Sequence, residues 1–202
     1  PFAVALDDDW QTEGDWLGRY GRYWACLCAF FHPIPLDYLW GAGWEPIDYH
    51  MDQGPDHAPG DRLRYWLQWR YTTNPGSLEI PPTYLSSRVT KGYTNWSVNR
   101  RETEVDDHGE SMPMSESGPG VFVTLTIPAG LYYLSLYEFN KDGQSRFYDP
   151  RDYRLSLRQH VGSSWDDNTL FADQPEEAHG RVVQFWGGVW KRFLVRGPQI
   201  LT

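Results

Sequence analysis

Basic residues are scarce in this chain of 202 residues, in which 18 Lys and Arg stand against 27 Asp and Glu and the formal net charge is −9. Binding to a nucleic-acid backbone needs clustered Lys and Arg, so the composition argues against a nucleic-acid partner. The same lack of positive charge disfavours an anionic membrane surface. No run of about 18 uncharged apolar residues is present, so no segment is predicted to insert into a bilayer.

Cysteine is also rare, with only 2 residues in the chain. Cys26 and Cys28 lie two apart in an apolar run, where a strand directs both side chains to the same face. A disulfide between such close neighbours is geometrically disfavoured. The spacing therefore predicts two buried thiols.

The common signatures of catalysis are missing from the sequence. We find no Gly-x-Ser-x-Gly elbow, no phosphate-binding glycine loop, no His-Glu-x-x-His and no dinucleotide fingerprint. The chain is therefore not predicted to be an enzyme. A glycan-active enzyme remains a third hypothesis, because paired carboxylates between residues 32 and 120 would leave no local signature.

Helical periodicity is lacking as well, whereas aromatic residues are abundant, with 11 Trp, 13 Tyr and 9 Phe. No apolar stripe of 3.6-residue period lasts three turns, so helices should be short or absent. Aromatic residues favour pleated, half-buried surfaces. Alternating or apolar runs separated by Gly and Pro predict strands at residues 2–6, 23–31, 63–71, 93–98, 121–127, 131–139, 153–157, 181–185 and 190–195.

Two of these runs flank Pro128, Ala129 and Gly130, which predicts a β-hairpin with a three-residue turn. Residues 32–60 are dense in Pro, Gly and Asp and are predicted to be a surface excursion, and residues 72–120 are predicted to be long loops with two edge strands. Together the patterns predict an all-β fold with little helix, either a sandwich or a barrel, and an antiparallel β-sandwich is the first choice. It forms a single domain over residues 1–202, with a loop-rich insertion at about 32–120.

Three segments of the chain resemble a known module. Residues 12–21 (TEGDWLGRYG) are similar to the pattern T-x-G-[ND]-W-x-G-x-Y-G, which opens an uncharacterised β-sandwich module of large secreted bacterial proteins. Residues 130–140 (GLYYLSLYEFN) resemble its later strand, usually H-x-V-[AS]-L-Y-x-x-D-W-D, with Glu138, Phe139 and Asn140 replacing the last three residues. Residues 181–197 resemble its closing element. The resemblance implies a jelly roll related to galactose-binding-like and carbohydrate-binding modules.

Tryptophan in loop-like stretches is the main candidate for binding, since sugar rings stack on indoles while nearby polar side chains meet their hydroxyls. Packing beneath a long loop is the alternative interpretation for each of these residues. Trp24, Trp69 and Trp190 fall in predicted strands and are expected in the core. The predicted carbohydrate-binding or interface residues are Trp40, Trp44, Trp66, Trp96 and Trp165.

Acidic turns provide weaker candidates for metal binding. Asp106, Asp107 and Glu110 surround a Gly turn and predict a calcium site, as do Asn140 and Asp142 after the predicted hairpin. A solvated turn is the favoured alternative for both patterns, because neither has the twelve-residue calcium-loop spacing. Asn95 begins an N-glycosylation sequon.

The first functional hypothesis is a non-catalytic carbohydrate-binding or adhesive module, secreted or displayed at the cell surface. The second is a self-assembling structural subunit of a surface layer, sheath or filament, because exposed aromatic residues and Arg are also enriched in protein interfaces. The expected partners are therefore glycans or other copies of the chain. No cofactor other than calcium is expected.

Overall fold

The computed structural model describes residues 2–27, 36–39, 49–53, 67–81, 100–105, 121–140, 152–160 and 175–202. Within these ranges every helix or strand assigned is a β-strand, and all paired strands run antiparallel, which confirms the all-β prediction. The strands are β1 Ala3–Ala5, β2 Trp24–Leu27, β3 Leu36–Leu39, β4 Tyr49–Gln53, β5 Leu67–Thr72, β6 Leu78–Glu79, β7 Arg100–Val105, β8 Val121–Asn140, β9 Asp152–Arg158, β10 Glu176–Val183 and β11 Gly187–Leu201.

The described strands form four sheets. A four-stranded sheet in the order β1-β11-β8-β4, here called the central sheet, contains the two longest strands. β5, β7 and β6 form a three-stranded sheet, and the pairs β9-β10 and β2-β3 form one sheet each. In the part of the chain that the structure describes, no helix is long and apolar enough to cross a membrane.

The predicted hairpin at Pro128, Ala129 and Gly130 is wrong. β8 runs without interruption from Val121 to Asn140 and pairs with β11 on both sides of this tripeptide. The register shifts there, between Gly197 and Gln199 on β11, so the tripeptide forms an irregularity within one long strand. A glycine with positive φ serves a bulge as well as a turn, and Gly130 has φ 140°. The deciding factor is β11, whose length supports both halves of β8.

Several described strands lie within residues 32–120, where the sequence predicts a loop-rich insertion. Two short strands, β3 and β4, lie in the predicted surface excursion, and β4 forms an edge of the central sheet by pairing with the start of β8. Farther along, β7 is the middle strand of its sheet, although its sequence RRETEV is polar and was predicted as loop. Short strands without hydrophobic alternation are specified by their distant partners, which a local pattern does not reveal. The strand predicted at residues 93–98 lies outside the described residues.

The two faces of the central sheet are covered differently. Along β11, Val189, Phe193 and Val195 alternate with residues of the opposite face and are at most 1% exposed. We call their side the inner face, because Leu157 of β9 and Ala178 of β10 pack in one cluster with Phe193 and Val195. The opposite side, which carries Trp190, is the outer face. The hydrophobic core of the described residues therefore lies chiefly between the inner face and the β9-β10 hairpin.

Candidate aromatic binding surface

The segment between β1 and β2 begins with a buried carboxylate that organises the backbone around it. Asp9 is 6% exposed, and its Oδ1 accepts hydrogen bonds from the backbone amides of Gln11 (2.9 Å) and Thr12 (3.1 Å). Its Oδ2 accepts from the hydroxyls of Thr12 and Tyr20, at 2.6 Å each, and pairs with Arg19 at 3.0 Å. Because every one of these partners belongs to the same segment, Asp9 holds residues 9–20 in one conformation.

These contacts shift the pKa of Asp9 and the pKa of Tyr20 in opposite directions. Burial by itself would raise the pKa of Asp9, but the hydrogen bonds from Thr12, Tyr20 and the two amides hold it well below its ordinary value. Burial and the bond to Asp9 raise the pKa of Tyr20 to about 12. Asp9 is therefore a permanent anion and Tyr20 a permanent donor near neutral pH, as a structural role requires.

Trp16 anchors the segment to the outer face of the central sheet. Its side chain is 1% exposed and packs with Trp190 and Ile80, and its Nε1 donates to the carbonyl of Glu79 at 2.8 Å. Tyr20 stacks on Trp190 with ring centroids 4.2 Å apart. Trp190 in turn donates from Nε1 to the carbonyl of Glu13 at 2.8 Å. Both indole N–H groups are satisfied, so two large aromatic residues are buried without loss of hydrogen bonds.

The turn before β6 completes this cover, which we call the clasp: residues 9–20 together with residues 74–80. Arg100 of β7 donates from Nη1 to the carbonyls of Pro75 (3.0 Å) and Ser77 (2.9 Å), and pairs through Nη2 with Asp15. A Cβ at Gly14 would collide with the Ser77 carbonyl, so this approach requires glycine. The motif residues Gly14, Asp15, Trp16 and Tyr20 thus have structural roles in the clasp.

Trp10 of the clasp and Trp186 of the β10-β11 turn are exposed to solvent instead. Trp10 is 46% exposed and Trp186 is 61% exposed, whereas Phe185, which precedes Trp186 in the chain, is 4% exposed. The Trp10 ring meets the Phe185 ring edge-on at a centroid distance of 6.3 Å, and Phe185 also contacts Tyr153 at 5.8 Å. We call Trp10 and Trp186 the aromatic surface. It lies where the β10-β11 turn meets the start of the clasp.

Both indoles lie on backbone that is fixed by neighbours. Trp10 follows Asp9, whose amide donates to the Trp190 carbonyl at 3.1 Å and whose own carbonyl accepts from the Trp190 amide at 3.0 Å. Trp186 lies between the buried Phe185 and the first residue of β11. Gln11 and Gln184, each close in sequence to one of these indoles, are exposed. The aromatic surface therefore combines flat apolar rings with amide groups on a rigid support.

All five tryptophans predicted for binding lie outside the described residues: Trp40, Trp44, Trp66, Trp96 and Trp165. Trp10 and Trp186 were not among the tryptophans predicted for binding. The exposure of Trp186 was predictable from the sequence, because successive side chains of a strand point to opposite faces and Phe185 points inward. The core prediction is confirmed for Trp190, which is 6% exposed, and Trp24 packs partly buried against the main cluster.

Asn140 is the single predicted metal ligand among the described residues. It is 3% exposed at the end of β8, and its Nδ2 donates to the Phe185 carbonyl at 2.8 Å, while its buried Oδ1 has no hydrogen-bond partner among the described residues. Asp142, Asp106, Asp107, Glu110 and the sequon residue Asn95 lie outside the described residues. Among the residues that are described, no group of three or more His, Cys, Asp or Glu is arranged to hold a metal ion. Calcium binding stays a prediction.

Comparison of the chain with protein-family models, with curated proteins and with solved structures finds no significant match.

Proposed function

We propose that this protein is a non-catalytic carbohydrate-binding or adhesive module that acts outside the cell. The observation that carries the proposal is the exposure of two indoles: Trp10, whose ring contacts the buried Phe185, and Trp186, the residue that follows Phe185 in the chain. Sugar rings present apolar C–H faces that stack on such rings. The exposed amides of Gln11 and Gln184 supply donors and acceptors for sugar hydroxyls.

Rigidity of the support favours binding at this surface. Ordering a flexible side chain on binding costs about 0.5–1.5 kcal/mol, which weakens a shallow contact. The backbone at Trp10 is held by the Asp9–Trp190 hydrogen-bond pair, and its ring rests against Phe185. Part of the free-energy cost of ordering Trp10 is therefore incurred on folding and not on binding.

We further propose that the described sheets belong to a β-sandwich of the jelly-roll kind. Packing of Leu157 and Ala178 from the β9-β10 hairpin against Phe193 and Val195 of the central sheet supports this architecture. The aromatic surface then lies at one end of the stacked sheets, at a strand connection. Loops at the ends of sandwiches are a common place for binding residues.

A glycan array and fluorescence titration test the proposed function. The intact chain is expected to bind at least one neutral glycan with a change in tryptophan emission, and Trp186→Ala and Trp10→Ala are each expected to weaken binding by about tenfold or more. Tyr133→Ala is the matched control, because Tyr133 is an exposed aromatic residue (72%) on the outer face of the central sheet, away from the β10-β11 turn. Equal binding by all three variants would refute the aromatic surface as the site.

Sedimentation separates this proposal from the second hypothesis, a self-assembling structural subunit. A chain that stays monomeric while it binds glycans supports a binding module. Concentration-dependent polymers without affinity for any glycan on the array would favour the structural subunit instead.

A further inference from the structure

A shallow depression lies on the outer face of the central sheet, at the end away from the clasp. Its volume is about 410 Å³, and it is lined by Phe2, Gly130, Leu131, Leu194, Arg196 and Gly197. Gly130 and Gly197 are register partners on β8 and β11 and contribute backbone alone. The depression is therefore bounded by apolar side chains on a floor of strand backbone.

The side chains around this depression are unusually exposed for apolar residues. Leu131 is 60% exposed, and Val4 (43%) and Tyr133 (72%) continue the apolar surface beside Leu194, with which both are in register. A contiguous exposed apolar patch on a sheet face marks a binding site more often than expected by chance. The depression is thus a candidate site with a volume in the range of small-molecule pockets, roughly 300–1,000 Å³.

Arg196 adds a positive charge to this apolar site. Its guanidinium lies 4.8 Å from the centroid of the Phe2 ring and, within the described part of the chain, makes no ion pair with a carboxylate. By contrast, Arg19, Arg100 and Arg154 each pair with an acidic side chain. Without a carboxylate partner among the described residues, Arg196 offers a positive charge beside the depression, in a chain where 27 acidic residues outnumber 18 basic ones.

We propose that this depression binds a small apolar carboxylate, with its hydrocarbon body on Phe2, Leu131 and Leu194 and its carboxylate on Arg196. A guanidinium presents two parallel N–H groups that match the two oxygens of a carboxylate. The Phe2 ring beneath the guanidinium limits its orientations, which favours a defined contact. An uncharged ligand of the same shape leaves the arginine without a partner and binds more weakly.

This site is separate from the aromatic surface of the proposed function. Trp186 and Leu194 are eight positions apart on nearly the same strand, which at ~3.3 Å per residue places them about 26 Å apart. The two proposals therefore succeed or fail independently.

Calorimetry and amide NMR of the full chain with 1-naphthoate, and with 1-naphthalenemethanol as the uncharged analogue, test the proposal. We expect naphthoate to bind with amide shift changes at Leu131, Leu194 and Arg196, and the alcohol to bind about tenfold more weakly. Arg196→Gln should remove the preference for the carboxylate. Leu131→Ser should weaken both ligands. Arg22→Gln is the matched control, because Arg22 is an exposed arginine whose guanidinium donates, within the described part of the chain, to the Gly18 carbonyl alone.

Three outcomes would overturn the proposal. The first is equal affinity for acid and alcohol, and the second is an equal effect of Arg22→Gln and Arg196→Gln. The third is a second copy of the chain on this face, seen as a dimer in sedimentation that Leu131→Ser converts to a monomer. Both substitutions at the site change exposed side chains, and circular dichroism of each variant confirms that it is folded before binding is measured.

Discussion

The two ends of the outer face of the central sheet differ in burial. On the outer face of the central sheet, Trp190 is in register with Tyr137 at one end, and Leu194 with Tyr133 nearer the other. The clasp covers the first pair, where Trp190 is 6% exposed and Tyr137 is partly buried. Nothing comparable covers the second pair among the described residues, and Tyr133 is 72% exposed. The same two strands thus present a closed end and an open end.

This contrast shows that strand sequence does not decide burial by itself. Tyr137 and Tyr133 are the same residue type, four positions apart on the same face of β8. They differ in burial because the Tyr137 hydroxyl donates to the Gly76 carbonyl in the clasp. As a consequence of that burial, the pKa of Tyr137 is raised. The clasp therefore buries the closed end, whereas the described residues leave Tyr133 at the open end exposed.

Removing the centre of the clasp should produce the largest effect. Trp16→Ala deletes a side chain that is 1% exposed and leaves the Glu79 carbonyl without its indole donor. We expect a loss of about 3–5 kcal/mol in the free energy of unfolding, measured by urea denaturation. The matched control is Trp186→Ala, which removes an exposed indole and should cost less than about 1 kcal/mol. Similar losses in the two variants would contradict the closed-end description.

Asp9→Ala should produce the next largest effect. It leaves the amides of Gln11 and Thr12 and the hydroxyl of Tyr20 without their acceptor, at an expected cost of about 2–4 kcal/mol near pH 7. Because the pKa of Asp9 in the folded chain is below its ordinary 3.8, its contribution is present above that pH and is lost as the pH falls. The difference between wild type and variant should therefore shrink in acid, whereas the exposed Asp7→Ala should show little difference at any pH.

Glu138, which follows Tyr137 on β8 and lies on the inner face, should give the opposite pH dependence. Burial raises the pKa of Glu138 to about 7 from an ordinary 4.5, against the opposing charge of Lys191. Folding then favours the protonated form, so stability is greatest below pH 4.5 and declines as the pH rises through 7. Glu138→Gln should be more stable than wild type by about 1–3 kcal/mol near pH 8, measured by urea unfolding across pH. An unchanged pH profile in this variant would contradict the burial of the carboxyl.

The open end should give the smallest effect. Tyr133→Ala removes a side chain that is 72% exposed, and the free energy of unfolding should change by no more than about 0.5 kcal/mol. Thermal unfolding followed by circular dichroism provides the measurement. A loss comparable to that of Trp16→Ala would mean that the open end is packed in solution, and the contrast between the two ends would disappear.

Several strands were predictable because their local pattern matches their environment. Residues 2–6 are a short apolar run and residues 153–157 alternate, and the structure has β1 at Ala3–Ala5 and β9 at Asp152–Arg158. The polar strand β7 was missed, since its pairing with β5 and β6 replaces hydrophobic alternation as the stabilising factor. The hairpin error at Gly130 has the same origin: the tripeptide fits a turn or a bulge, and only the partner strand decides between them.

The candidate site was less predictable than the strands. An abundance of tryptophan indicated that some indoles face outward, but the sequence does not state which ones. Trp16 and Trp10 lie six residues apart in the same loop-like segment, yet one is 1% exposed and the other 46%. Their difference comes from Ile80 and Trp190, which approach Trp16 from distant parts of the chain.

The sequence by itself determined that the described chain folds into antiparallel strands, because periodicity of apolar residues and backbone preferences act over a few neighbouring positions. It also determined the short-range bonds of Asp9 with Gln11 and Thr12, which span three residues or fewer. Only the tertiary structure decided that β8 continues through Gly130 and which end of the outer face is covered. Those outcomes depend on contacts between residues far apart in the chain. The free energy of such contacts cannot be read from a local sequence pattern.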